Sequence, residues 1–354
     1  MEETELRNRS REARARLTQR LFPQGVPRLW CPTLTHFAAK GQLDEPRIRR
    51  HWQRLVPYVK GALVPGSTGE GWEMTESDIQ DLLAIVLEVA RATGIRVLIG
   101  VLKTDLPGML QCLDATVSFL QQRAGVSSPE AALQRLNVVG FTVCPPKGSH
   151  LTQAEMAAAL DRVAGRELPL ALDQLPQVTG NELSAETVRA LANRHPNFYL
   201  FKDTSGRDGV AQAKLDLAGV FLVRGAEGDY ARQPRSGGGA YDGFLLSTAN
   251  VFARELDSVL SLLDQDRRRD AEELAARLSR VVQGCFEMAS GFPTGNAFTN
   301  ANKVLDHLMA HGEAGLRREP PLLYSGVRLP AAWIESAAAL LRENRLMPAA
   351  GYLE

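Results

Sequence analysis

The chain has 354 residues, and its 41 basic and 41 acidic side chains give a formal net charge of zero. This balance argues against a nucleic acid or an anionic membrane as a partner held by bulk charge. No apolar run reaches the roughly 18 residues that a membrane span requires. The charged N-terminus differs from a signal peptide, so we expect a cytoplasmic protein. The four cysteines are widely spaced, which predicts free thiols rather than disulfides.

Residues 1–25 are predicted to form a charged N-terminal arm, in which Glu2–Arg20 is either a surface helix or a partly ordered extension. From Val26 onward, short apolar runs alternate with helical stretches. Eight of these runs predict strands, at Arg28–Pro32, Gly61–Pro65, Arg96–Val101, Val138–Cys144, Leu168–Asp173, Phe198–Lys202, Gly219–Arg224 and Tyr241–Leu246. Because the runs are continuously apolar, they are typical of parallel strands that are buried on both faces.

Helix signals separate the predicted strands. Thr75 and Thr152 each begin a capping box, and Ser184 can cap a further helix. Eight β–α alternations between residues 26 and 252 predict an α/β fold of the (β/α)8 TIM-barrel type, whose usual length is about 250 residues. A doubly wound open sheet is the alternative. Residues 253–354 carry only helix signals, so we expect a helical C-terminal extension.

The first candidate for chemistry is a lysine at the end of a predicted strand. In a TIM barrel, residues at the carboxyl ends of the strands line the active site. The apolar run Phe198–Phe201 leads into Lys202. A poorly solvated amine at this place has a lowered pKa, and the neutral amine can attack a carbonyl carbon. The alternative is a structural ion pair between Lys202 and Asp203, and position alone does not choose between the two.

Further polar residues follow other predicted strands. Ser67 and Thr68 offer two hydroxyls and turn amides, which can bind a carboxylate or can simply cap a tight turn. Gly225 and Glu227 follow the seventh strand, and Ser247 follows the eighth, so we expect all three to contribute to substrate binding. A sugar-phosphate enzyme is disfavoured because no basic cluster accompanies these glycine-rich loops.

Three motifs in this order resemble those of the dihydrodipicolinate synthase / N-acetylneuraminate lyase family of class I aldolases. They are Gly66-Ser67-Thr68-Gly69-Glu70, Phe201-Lys202-Asp203-Thr204-Ser205-Gly206, and Asp242-Gly243 with Ser247-Thr248-Ala249-Asn250. The resemblance runs from about Val26 to the C-terminus. It implies an imine between Lys202 and a 2-oxo acid such as pyruvate, with the Ser-Thr pair on the substrate carboxylate. It also implies no metal or organic cofactor and a homotetramer.

The sequence departs from the family pattern at the end of the fifth strand. Asp173 stands where the family usually has a proton-relaying tyrosine, and Val178 stands where the synthases have an arginine. A second tyrosine of the synthases is replaced by the run Pro145-Pro146-Lys147. These three differences argue against dihydrodipicolinate synthase activity. They favour an aldolase or dehydratase that acts on pyruvate or on a 2-keto-3-deoxy sugar acid.

Asp173 leaves two functions open. Its carboxyl can replace the phenol as the acid and base, provided that burial raises its pKa. It can instead hold Lys202 in the charged form, which would make the chain a non-catalytic sensor or structural subunit that binds a 2-oxo acid. We expect the enzyme, a Schiff-base lyase with Lys202 and Asp173 as its catalytic residues, because the lysine, hydroxyl and glycine motifs are all present.

Overall fold

The computed structural model describes residues 2–354, so Met1 of the predicted N-terminal arm lies outside the described residues. Eight parallel strands form a closed barrel in which each strand pairs with the next along the chain and the last pairs with the first. The strands are β1 (Leu29–Pro32), β2 (Gly61–Val64), β3 (Arg96–Val101), β4 (Val138–Val143), β5 (Leu170–Gln174), β6 (Phe198–Asp203), β7 (Phe221–Arg224) and β8 (Gly243–Leu245). Barrel closure confirms the predicted TIM barrel and excludes the open sheet.

Thirteen α-helices are present among the described residues. They are α1 (Glu2–Leu21), α2 (Glu45–Leu55), α3 (Glu76–Thr93), α4 (Leu106–Ala124), α5 (Pro129–Arg135), α6 (Gln153–Ala164), α7 (Pro176–Thr179), α8 (Ala185–Arg194), α9 (Gly209–Gln212), α10 (Ala249–Asp264), α11 (Arg268–Ala289), α12 (Ala297–His311) and α13 (Ala331–Glu343). The predicted capping boxes at Thr75 and Thr152 and the predicted cap at Ser184 are confirmed. None of the described helices combines the length and the apolar character that a membrane span requires.

The chain divides into two compact units, and each is described by itself. The first unit contains the described residues up to Arg28, together with Arg96–Ala226 and Gly238–Leu245, and so holds α1, β3–β8 and α4–α9. The second unit contains Leu29–Ile95, Glu227–Gly237 and Leu246–Glu354. These boundaries differ from the predicted domain boundaries at residues 25 and 252. The predicted division into arm, barrel and extension stays a prediction.

In the first unit, α1 is firmly anchored. Its Ser10 Oγ donates to the carbonyl of Asn193 at 2.6 Å, and the fully buried Arg14 guanidinium donates to backbone carbonyls of α8 and β6. Of the two alternatives predicted for this segment, the structure therefore has the helix and not the partly ordered extension. The charge-rich composition concealed the anchoring because only a few side chains of the helix face inward.

In the second unit, the C-terminal helices α10–α13 pack on one another. Val304, Leu305 and Leu308 of α12 are fully buried among them. A short antiparallel hairpin, Phe37–Ala39 with Gln42–Leu43, follows β1 and was not predicted. All four cysteines of the chain are free, as predicted from their spacing.

Candidate active site

Lys202 and Asp173 form a buried ion pair at the carboxyl ends of two neighbouring strands. The β5–β6 register places the two residues directly opposite each other. Their side chains leave the same face of the sheet, and Lys202 Nζ lies 2.9 Å from Asp173 Oδ2. Only 9% of the lysine side chain and 6% of the aspartate side chain are exposed. Both functions left open for Asp173 require it to lie near Lys202, and that proximity is thus confirmed.

The second carboxylate oxygen of Asp173 has its own partner. Thr204 Oγ1 donates to Asp173 Oδ1 at 3.4 Å, which is a long hydrogen bond. Thr204 lies two residues after Lys202, and side chains two apart along a strand face the same side. The carboxylate is therefore held by an ammonium on one oxygen and by a hydroxyl on the other.

Gly225 makes room for this arrangement. A Cβ at this position would lie 2.3 Å from Thr204 Oγ1 and 2.9 Å from Lys202 Cε. Its backbone nitrogen donates to the carbonyl of Asp203 at 2.7 Å, which continues the pairing of β6 with β7 beyond the end of β7. Any side chain larger than hydrogen would push the lysine or the threonine away. Gly225, predicted to contact the substrate, thus lies beside the lysine in the first unit.

Asp203 belongs to the opposite face of β6. Its Oδ1 accepts hydrogen bonds from the Ser205 backbone nitrogen at 2.9 Å and from Gln174 Nε2 at 3.4 Å. Burial raises the pKa of the Asp203 carboxyl above its ordinary value. An ion pair between Lys202 and Asp203 is the alternative that strand alternation rules out, since adjacent residues of a strand face opposite sides.

Cys144 shows how dry the surroundings of the pair are. It directly follows β4 and is buried. Burial raises the pKa of its thiol well above the ordinary value, and the negative charge of Asp173 raises it further. A neutral thiol cannot compete with the amine of Lys202 as a nucleophile.

Ser67 and Thr68 lie in the second unit, in the turn that follows β2. Trp72 Nε1 donates to Ser67 Oγ at 2.8 Å, which leaves the serine hydroxyl proton free to point elsewhere. Thr299 Oγ1, at the start of α12, lies 3.1 Å from the carbonyl oxygen of Ser67 and 3.0 Å from that of Thr68. Gly69 completes the turn, because a Cβ there would lie 2.6 Å from the carbonyl oxygen of Thr33. The two hydroxyls are consequently carried on a rigid turn.

Glu227 and Ser247 are also in the second unit, and they contact each other. The Glu227 carboxylate accepts hydrogen bonds from Ser247 Oγ at 2.7 Å, from Thr248 Oγ1 at 2.6 Å and from the Tyr230 hydroxyl at 2.9 Å. Asn302 Nδ2 of α12 donates to Ser247 Oγ at 3.0 Å. The carboxylate is fixed in place by these donors, and it presents an oriented acceptor group rather than a mobile charge.

The structure therefore brings Lys202, Asp173 and Gly225 together in one unit and pairs Glu227 with Ser247 in the other. Thr204 belongs to the lysine motif but was not predicted as a site residue. The sequence does contain a signal for Thr204, because it lies two residues after Lys202 and side chains two apart along a strand face the same side. Cys144 was predicted only as a free thiol, since its place beside Asp173 depends on which strands are neighbours.

Comparison with known proteins identifies relatives of this chain. Residues 128–298 match the model of the dihydrodipicolinate synthetase family. A 4-hydroxy-tetrahydrodipicolinate synthase of Stenotrophomonas maltophilia (strain R551-3) is 34% identical over 260 residues, which cover 71% of this chain and 78% of that protein. The part of this chain that matches the family model contains Asp173, Lys202, Glu227 and Ser247.

Two solved structures are similar in fold. YagE, a prophage protein of the dihydrodipicolinic acid synthase family from E. coli K12 in complex with pyruvate, has a TM-score of 0.68 at 19% identity and covers 90% of this chain and 98% of its own. A Sulfolobus 2-keto-3-deoxygluconate aldolase in complex with D-KDPG has a TM-score of 0.70 at 15% identity, with 90% and 96% covered. Identities this low show the fold alone.

Proposed function

Since the chain belongs to the dihydrodipicolinate synthetase family, we propose that it is a lyase that forms a Schiff base between Lys202 and a 2-oxo acid. One observation carries this proposal. The amine of Lys202 is nearly buried at the carboxyl end of β6, and it forms an ion pair with a carboxylate 2.9 Å away that can take its proton. Such a base beside the amine is what converts a lysine into a nucleophile.

The proton steps that we propose use Asp173 alone. Lys202 transfers a proton from Nζ to Oδ2 of Asp173 over the 2.9 Å contact, which leaves a neutral amine and a neutral carboxyl. The amine adds to the 2-oxo carbon, and the carboxyl returns its proton to the resulting hydroxyl, which leaves as water. The products are an iminium and the Asp173 carboxylate. Burial strengthens the attraction between these two charges, because little water screens them.

Bond cleavage follows from the same arrangement. The Asp173 carboxylate accepts the proton of the substrate hydroxyl two carbons beyond the iminium carbon. The bond between the hydroxyl-bearing carbon and the methylene next to the iminium carbon breaks. Its electron pair moves toward the iminium to give an enamine, and an aldehyde leaves. The Asp173 carboxyl, which now holds the hydroxyl proton, protonates the enamine carbon, and water hydrolyses the resulting iminium to release pyruvate and the free lysine. Thr204 steadies the carboxylate through its other oxygen during these transfers.

The substrate class that we propose is a 2-keto-3-deoxy sugar acid, with pyruvate as the common product. The support is the set of departures from the synthase pattern at Asp173, Val178 and Pro145–Lys147. The curated relative at 34% identity is named a synthase, so synthase activity is the competing assignment. Two assays on the same preparation separate them: release of pyruvate from 2-keto-3-deoxygluconate, and formation of hydroxytetrahydrodipicolinate. Product in the second assay alone would contradict our proposal.

A non-catalytic role is the second candidate, and the ion pair itself favours it. A carboxylate 2.9 Å from the amine stabilises the ammonium form, which cannot attack a carbonyl. In that case the chain would bind a 2-oxo acid without forming an imine. Burial acts in the opposite direction. It disfavours the two charges of the ion pair and so favours transfer of the proton from Lys202 to Asp173.

Trapping with borohydride tests the proposal directly. Sodium borohydride reduces an imine to a stable amine, so wild-type protein treated with pyruvate should gain the mass of one reduced pyruvate. Lys202→Ala should abolish the gain, whereas Lys103→Ala serves as the matched control and should keep it. Peptide mapping should place the modification on Lys202. An adduct that survives in Lys202→Ala, or no adduct in the wild-type protein, would overturn the Schiff-base proposal.

A further inference from the structure

The second unit contains a cavity of about 840 Å3 that the proposed lyase reaction does not use. Its walls come from the end of α2, from α10 and α11, and from the C-terminal segment 345–352. Small-molecule sites commonly have volumes of about 300–1,000 Å3. We infer that this cavity binds an organic polyanion with a planar apolar part, the chemical class of the nucleoside phosphates.

The charge of the cavity carries the first step of this inference. Its lining includes four guanidinium groups but a single carboxylate, that of Glu255. The guanidinium groups belong to Arg54, Arg254, Arg277 and Arg345. The chain as a whole has no net charge, so this excess of positive charge is a local feature. A concave surface with one sign of charge concentrates ions of the opposite sign.

Two of these arginines are fixed by neutral partners. Arg54 Nη2 donates to the carbonyl of Val251 at 2.7 Å, and Arg277 Nε donates to the carbonyl of Asn344 at 2.8 Å. Carbonyl oxygens orient a guanidinium group without cancelling its charge. Both side chains are also only partly exposed, so their positions are settled before any ligand arrives. Such preorganisation lowers the entropy cost of binding.

The other two arginines are free to move onto a ligand. Arg254 pairs with Glu255 at 2.7 Å, and 69% of the arginine side chain is exposed against 14% of the glutamate side chain, so the arginine is the mobile member of the pair. Arg345 is exposed, and no ion pair links it to a described residue. A guanidinium group presents donors in a planar fork that matches two phosphate oxygens. These two arginines are therefore the ones that can close on an oxyanion.

The remaining wall of the cavity is apolar. Tyr58, Leu274 and Met347 line it and are half-exposed, so they offer apolar surface that is not yet covered. An inorganic ion would leave this surface in water. A planar ring would cover it, and aromatic and thioether side chains make favourable contacts with rings. The combination of an apolar wall and a guanidinium cluster thus selects an anion that carries a ring.

Calorimetry with ATP and with pyrophosphate tests the inference on the full chain, without divalent cations and at low salt. ATP should bind in a one-to-one ratio and more tightly than pyrophosphate, which lacks the ring. The double variant Arg254→Gln/Arg345→Gln should weaken ATP binding about tenfold or more, since charge-assisted hydrogen bonds are lost. Arg91→Gln is the matched control, because this exposed arginine at the end of α3 does not line the cavity.

Three results would overturn the inference: no heat of binding with ATP, equal affinities of the wild-type protein and the double variant, or equal affinities for ATP and pyrophosphate. Both substituted arginines are exposed, and neither is part of the proposed reaction. The double variant should therefore still form the borohydride adduct on Lys202, which verifies that it is folded.

Discussion

The carboxylate of Asp173 can act on Lys202 in two opposite ways. As a base it removes the ammonium proton and activates the amine, and as a counter-ion it retains that proton and suppresses attack. The two oxygens are held differently, one by the lysine at 2.9 Å and the other by Thr204 at 3.4 Å. The longer bond is the weaker one, so the charge of the aspartate is stabilised mainly by the group that it would deprotonate.

Asp173→Asn separates these two roles. The amide keeps the size of the side chain but cannot exchange a proton. If Asp173 is the proton relay, turnover should fall on the order of 10²-fold or more, while the borohydride adduct still forms, though more slowly. Steady-state kinetics and adduct formation measured on one preparation provide the check.

Asp173→Tyr tests the opposite role by restoring the family's usual residue. If the aspartate only suppresses attack, this variant should gain lyase activity that the wild-type protein lacks. If the aspartate is the relay, the variant should be no more active than wild type. Unchanged turnover in both the asparagine and the tyrosine variants would show that Asp173 is structural and that our mechanism is wrong at this position.

The hydroxyls of Ser67 and Thr68 give a second prediction. We propose that they bind the carboxylate of the 2-oxo acid, so Ser67→Ala/Thr68→Ala should weaken pyruvate binding by about 1–3 kcal/mol. Trp72→Phe is the matched control, because it removes the indole donor 2.8 Å from Ser67 Oγ but keeps both hydroxyls. Titration with pyruvate measures both. Wild-type affinity in the double alanine variant would refute the role of the hydroxyls.

At the scale of the elements, Arg14 makes the larger share of the buried hydrogen bonds that anchor α1. Arg14 donates to the carbonyls of Phe198 at 2.5 Å, Ala192 at 2.6 Å and His195 at 2.9 Å, and also to that of Ala218. Burial and, to a lesser extent, the positive charge of Arg11 together lower the pKa of the guanidinium to about 10. The guanidinium nevertheless stays charged near neutral pH and donates to four carbonyls, of which that of His195 has a second donor, the Phe198 backbone nitrogen.

Arg14→Met should therefore destabilise the fold. Methionine fills similar space but has no donor, and each buried acceptor left without a partner costs about 1–3 kcal/mol. Some carbonyls will regain water, so we expect a loss of about 3 kcal/mol or more in the free energy of unfolding, measured with urea. Arg16→Met is the matched control, because the side chain of Arg16 is 73% exposed. Equal stabilities of the two variants would contradict the anchoring role of Arg14.

Elements that depend on neighbouring residues could be predicted from the sequence, and those that depend on distant ones could not. The capping boxes at Thr75 and Thr152 need only residues three positions apart. The strand β6 follows from a single apolar run. By contrast, the acceptors of Arg14 lie 178 to 204 residues away, so the sequence around the arginine indicated only a charged surface. The position of Asp173 beside Lys202 could be predicted, because barrel topology makes consecutive strands neighbours.

At the scale of the whole molecule, the apolar stripe of α12 is not available to a partner. Val304, Leu305 and Leu308 have no exposed surface, because α10, α11 and α13 cover them. An apolar stripe on a helix can also mark a subunit interface, and the burial of these three side chains excludes that role for this stripe. A stripe on a helix indicates only that one face is covered, and the packing partners decide whether the cover comes from the same chain.

The homotetramer implied by the family resemblance stays a prediction, and the surface indicates what kind of interface it would have. Among the residues that the structure describes, the large apolar side chains with marked exposure are Leu6, at 44%, and Val327, at 38%. Stable interfaces usually contain an apolar core. An interface formed from this surface would instead rely on charged and polar groups, whose interactions salt screens.

We therefore expect a tetramer at low salt that dissociates as the salt concentration rises. Light scattering at micromolar protein concentration, repeated from low to about 1 M sodium chloride, where the Debye length falls to about 3 Å, measures the change in mass. Leu6→Ser should weaken assembly if α1 contributes the apolar contact, whereas Val327→Ser tests the other exposed side chain. A monomer at low salt would refute the tetramer. A tetramer whose mass is independent of salt would show that the interface is apolar and forms only after rearrangement of the surface.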